Sequence, residues 1–93
     1  MNIEPFSSVW DVIEKTLEEA ENMKLRSTLM GILREHITRT GLNQAQAAKL
    51  FGVTQPRLSD LIRGKNNLFG LDALVNMAAS AGLHIVIGVR GAA

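Results

Sequence analysis

The side chains best suited to chemistry in this 93-residue chain are concentrated between Gln44 and Asn66. Gln44, Thr54, Gln55, Arg57, Ser59, Asp60, Arg63, Lys65 and Asn66 supply amides, hydroxyls, a carboxylate and cationic donors within one short stretch. These groups recognise partners by hydrogen bonding; the guanidinium fork and the carboxamide can each make two bonds at once. Bond-making chemistry lacks its parts. There is no cysteine, which excludes disulfides, thiolate metal sites and thiol nucleophiles together. His36 and His84 lie far apart, and Glu35, Asp60 and Asp72 have no paired carboxylate, nucleophile–base or metal-ligand spacing around them. The expectation is a binding protein, not an enzyme, with no cofactor and no metal.

Recognition side chains need rigid elements, and the local signals supply them. Asn43 is placed to cap a helix over 44–51 that Gly52 stops. A second helix over 55–63 stops at Gly64, with Thr54 or Gln55 as its cap and Pro56 in the first turn, where a missing N–H costs little. Ala48 lets the two helices approach, Gly52 can take the positive φ of a tight turn, and Leu58 and Leu61 anchor the second helix with Ile62 beside them. A helical wheel then turns Pro56, Ser59, Asp60 and Arg63 outward, with Gln55 and Arg57 on the flanks. A short helix with a polar outer face is an object that the major groove of DNA admits.

The rest of the chain reads as support. Leu29, Met30, Leu33 and Ile37 form the apolar face of a long helix that starts near Leu17, behind the capping-box spacing of Thr16 and Glu19, and ends at Gly41. A further helix over 71–81 turns Leu71, Leu74, Val75 and Ala78 inward and stops at Gly82. Phe6, Val9, Trp10, Ile13 and Leu17 recur at spacings of three and four. They are read as a stripe packed within the molecule, with binding to a partner protein as the alternative. Leu83, Ile85, Ile87 and Val89 alternate with His84, Val86, Gly88 and Arg90, which predicts a strand.

Composition is that of one globular domain: 46% hydrophobic and 20% charged, with a net charge of +1. That balance hides two parts. Residues 1–22 form an acidic N-terminal extension carrying −5, while residues 23–93 form the main domain and carry +6. A basic body favours a polyanionic partner. No apolar run approaches the ~20 residues a bilayer requires, and the N-terminus lacks a signal-peptide pattern, so a cytoplasmic protein is expected.

The run QAQAAKLFGVTQPRLSDLIRGK from Gln44 to Lys65 resembles the helix-turn-helix of the Cro/CI (XRE) family. The likeness continues through Asn67-Leu68-Phe69 and Leu71-Asp72-Ala73-Leu74 into the terminal segment, and the layout is similar to small one-domain members that include HigA-type antitoxins. The resemblance implies a mainly α, five-helix, lambda-repressor-like domain that binds operator DNA as a dimer and represses transcription. It also implies a RelE/HigB-like toxin as partner. Under it, Gln44 bonds a phosphate, Gln55 and Arg57 face bases or neighbouring phosphates, and Thr54, Lys65 and Asn66 hold the DNA backbone. Asp60 can accept from cytosine or pair with Arg57 or Arg63 at helical spacing. A stand-alone repressor without a toxin and a protein-interaction adaptor on the same fold remain alternatives.

A single strand in a helical domain leaves its backbone without a ladder. The economical solution is the same strand from a second copy across a two-fold axis, so Leu83, Ile85, Val86, Ile87 and Val89 are expected to form a dimer seam. Such a homodimer would set two recognition helices about 34 Å apart on a near-palindromic operator. Pairing with a toxin, or folding alone against the helices, are the other outcomes for this segment.

Overall fold

The computed structural model describes residues 5–91, with side chains from Val9 onward, so Phe6 lies outside the described side chains. Four α-helices follow one another: α1 (Pro5–Thr40), α2 (Gln44–Phe51), α3 (Gln55–Ile62) and α4 (Leu71–Ser80), with a 3₁₀ turn at Asn66–Leu68 before the last. The expected five-helix domain with a C-terminal strand is therefore corrected: there are four α-helices, and no strand forms among the described residues.

The first helix is the largest departure. It runs unbroken through 36 residues, twelve upstream of the expected start at Leu17. Good helix formers (Leu, Glu, Lys, Ala, Met) fill it and Pro5 opens it, where a proline is best tolerated. Thr16 does not cap anything. Its hydroxyl donates back to the carbonyl of Val12 at 2.8 Å, a bond made from inside a helix. The acidic extension is thus continuous with the domain's scaffold. Val9, Trp10, Ile13 and Leu17 stand exposed on it, with Trp10 at 63% exposure, which corrects the expectation that they pack within the molecule.

The core sits where the four helices meet. Met30 and Leu33 of α1, Ala47 and Phe51 of α2, Leu58 and Leu61 of α3, and Leu74 and Met77 of α4 are buried together with Phe69. Leu71 is half-buried at the edge of this cluster, whereas Val75 and Ile62 face solvent, against the expectation that both point inward. Met77 fills the place assigned to Val75. Leu74, Met77 and Ala78 follow the side of α4 turned to the other helices.

From Leu83 to Gly91 the described chain has no regular secondary structure. Leu83 donates its N–H to the carbonyl of Ala78 at 2.9 Å and packs on the core. The alternation then loses contact step by step: Ile85 is 36% exposed, Ile87 66% and Val89 93%. Apolar alternation describes a face that a strand would bury, but a ladder needs a second edge, and no segment of the described chain supplies one.

Candidate nucleic-acid interface

The helix pair is built by short-range bonds. Asn43 caps α2 reciprocally: its carboxamide accepts from the N–H of Gln46 at 2.8 Å, and the Gln46 side chain accepts from the N–H of Asn43 at 3.0 Å. α2 ends on Gly52 in the left-handed conformation, φ 69°, whose N–H reaches the carbonyls of Ala48 and Lys49. A Cβ there would stand 3.2 Å from the Ser80 hydroxyl, which is itself committed to the carbonyl of Leu50 at 2.8 Å. The turn is therefore pinned by α4 as well as by its own glycine. Thr54 caps α3, accepting from the N–H of Arg57 at 3.3 Å, and Pro56 sits in the first turn.

The polar side chains divide by what already holds them. Gln44, the first residue of α2, and Gln55 and Pro56, at the start of α3, are exposed. Arg63, which caps the end of α3, is exposed too. Ser59 is half-buried on the outer side of α3. Together these groups present two carboxamides, a hydroxyl and a guanidinium from one connected pair of helices.

Others are engaged within the protein. The Arg57 guanidinium lies over the Phe69 ring, 4.2 Å from its centroid, so the arginine is half-buried and its flat face is occupied. Asp60 pairs with Lys65 at 3.5 Å, and not with Arg57 or Arg63 as helical spacing suggested. The chain doubles back at Gly64, φ 73°, where the N–H of Lys65 also bonds the carbonyl of Asp60 at 3.1 Å, bringing that lysine alongside. Asp60 is half-buried while Lys65 is exposed, and a solvent-facing pair of this kind contributes little and leaves the ammonium able to meet another anion. Asn66 is half-buried and donates from its amide to the Ser27 hydroxyl at 2.8 Å, which ties the 3₁₀ turn to α1.

Several residues that support this surface carry no signal in a helical wheel of the pair alone. Phe69, the shelf under Arg57, comes from beyond the 3₁₀ turn. Ser80 arrives from α4. Arg34 of α1 approaches Gly64 so closely that a Cβ at that glycine would meet its Nη1 at 2.8 Å. Arg26, also on α1, reaches the carbonyl of Phe69 at 3.4 Å. Both arginines are half-buried beside the pair.

The model of a helix-turn-helix domain family matches residues 12–90 of the chain. The chain belongs to that family. The match takes in most of α1, the α2–α3 pair and the tail beyond α4, so for this helix-turn-helix domain the long first helix and the tail are parts of the unit. It is a DNA-binding class of domain. No curated protein matches the chain. No group of three or more potential metal ligands forms among the described residues, and no described helix is long and apolar enough to cross a membrane. His36 stands edge-on to Phe51, ring centroids 6.3 Å apart, in a packing contact.

Proposed function

We propose that this helix-turn-helix protein is a sequence-specific transcriptional repressor that binds a near-palindromic operator as a homodimer. Its finer role in this reading is the antitoxin of a toxin–antitoxin pair that represses its own operon in the cytoplasm. The observation that carries the DNA reading is the outward cluster of Gln44, Gln55, Ser59 and Arg63 on two helices locked by a capping box and a left-handed glycine. Preset donors and acceptors on a rigid helix cost little ordering when they meet base edges.

In this reading Gln55 pairs with an adenine edge, and Arg57 turns its N–H fork toward guanine or a phosphate. The stack on Phe69 uses the face of the guanidinium and leaves those donors, so it orients them. Pro56, Ser59 and Asp60 lie along the groove. Gln44, Thr54, Arg63, Lys65 and Asn66 approach the backbone, which positions without specifying. Leu83, Ile85, Val86, Ile87 and Val89 belong to the dimer surface; Leu83 still packs on the core, and the side chains after it leave the core progressively.

The antitoxin role rests on the likeness to HigA-type proteins and is tested apart from DNA binding. Expression of the product of the adjacent reading frame should arrest growth, and coexpression of this chain should relieve the arrest. If the neighbour is harmless while the chain still represses its own promoter, the protein is a stand-alone regulator. If the chain shows no preference for its upstream DNA and no salt-dependent affinity, the adaptor reading replaces both.

A further inference from the structure

This chain exposes more surface than its size warrants. A compact monomer of 10.1 kDa has about 5,300 Å² of accessible surface. This one has 6857 Å², an excess of about 1,600 Å² by the same scaling. Its radius of gyration is 17.3 Å, against about 12 Å for a compact chain of this length. The 55 Å long axis matches the ~54 Å of a 36-residue helix, so α1 accounts for the elongation. A standard interface covers about 800 Å² per partner, which the excess accommodates.

Along α1 the exposed surface is organised. Ile13, Leu17, Glu21, Lys24, Thr28 and Ile32 recur at spacings of four, four, three, four and four, so they form one row along α1. Trp10 extends the row by a further turn. Its two ends differ in kind. The upstream end, Trp10 and Ile13, is a bare ridge, and from Leu17 to Thr28 the row borders a wider cleft of about 790 Å³ flanked by Ile87, Val89 and Arg90 of the tail. The downstream end borders a groove of about 350 Å³ between α1 and the tail, walled by Thr28, Ile32, Leu83, Ile85 and Ile87. One chain thus carries a ridge and a groove on the same helix face, which is the condition for self-complementary pairing across a two-fold axis.

We infer that a second copy of this chain covers this face, with the two α1 helices antiparallel about an axis between Asn22 and Met23. That register sets Ile13 against Ile32 of the second copy and Leu17 against its Thr28. It sets Glu21 against its Lys24, twice over by symmetry. The charges agree with this choice of occupant. The upstream half of α1 is acidic and lies over the basic body of the other copy, whereas parallel pairing would place acidic halves side by side. Net charge of only +1 per chain leaves little repulsion between copies. Ile13 and Leu17 then meet the other copy's groove beside the tail, with Trp10 one turn further along that helix. The inference rests on the dimer in the proposed function and names a surface for it that the tail alone does not provide.

The test measures self-association of the full chain without DNA, by sedimentation equilibrium and by the emission of Trp10, the sole tryptophan. The wild-type protein should be dimeric at micromolar concentration, and dilution should shift its emission to the red as Trp10 is exposed. Leu17→Glu on the ridge and Ile32→Glu in the groove should each raise the dissociation constant by about 100-fold or more, since a buried apolar contact is replaced by a charge in both halves. Both sites are exposed in the single chain and glutamate is a good helix former, so circular dichroism should stay unchanged. Lys24→Glu should weaken the dimer, and adding Glu21→Lys should restore it. A monomeric wild-type protein, or variants that dimerise as it does, overturns the inference. So does a Leu17→Glu variant that keeps the dimer but loses binding to the neighbour-encoded protein. Because no DNA is present, these results stand apart from whether the helix pair reads an operator.

Discussion

The lower half of α1 and its upper half are one helix with two fates. Between Arg26 and Ile37 the face carrying Leu29, Met30, Leu33 and Ile37 is sealed by α2, α3 and α4; from Val9 to Leu17 residues of the same kind and spacing lie open. The periodicity is equally good in both. What differs is that three later helices return to cover the first region and none returns to the second. Amphipathic spacing therefore specifies a face to be buried without saying which molecule buries it.

This contrast can be broken by truncating side chains in each region. Leu58→Ala or Leu61→Ala, on the helix that packs against the sealed part of α1, should lower unfolding free energy by about 3–4 kcal/mol in urea denaturation; a loss below 1 kcal/mol would mean the core is not close-packed. Gly52→Ala should cost about 1–2 kcal/mol, because alanine must adopt φ 69° with the Ser80 hydroxyl close by. Thr54→Ala removes the α3 cap and should cost about 1 kcal/mol, read as a lowered melting temperature. Val9→Ala, in the open region, should change stability by less than about 0.5 kcal/mol at concentrations that keep the chain monomeric. A cost equal to that of Leu58→Ala would show that the upper half of α1 is covered within its own chain.

The recognition pair was legible in the sequence because its determinants are local. Asn43 and Gln46, Gly52, and Thr54 with Pro56 fix their elements within a few residues, and the structure places these ends where the signals do. The errors all came from partners remote in sequence or missing. Thr16 and Glu19 have cap spacing, but nothing interrupts the helix upstream of them. Val75 and Met77 are equally apolar, and only the position of α4 against the other helices decides which is buried. Asp60 found Lys65 because the chain reverses at Gly64, a geometry that i,i+3 and i,i+4 counting does not contain. Arg57 found Phe69 across the 3₁₀ turn for the same reason. The alternation of the tail stated a preference for burial on one face, but a ladder is a property of two segments.

The central claim is that the face carrying Gln44, Gln55 and Arg63 reads DNA. Its most direct test is a fluorescence-anisotropy titration of labelled DNA from upstream of the gene, and of a scrambled duplex of equal length, at several salt concentrations. The account predicts tighter binding to the upstream DNA, with affinity falling linearly on a logarithmic salt scale. Gln55→Ala should narrow the preference by about 10-fold, while Arg63→Ala should weaken both duplexes alike and flatten the salt dependence by about one unit of slope. Equal affinity for the two duplexes, or binding by both variants indistinguishable from wild type, would contradict it.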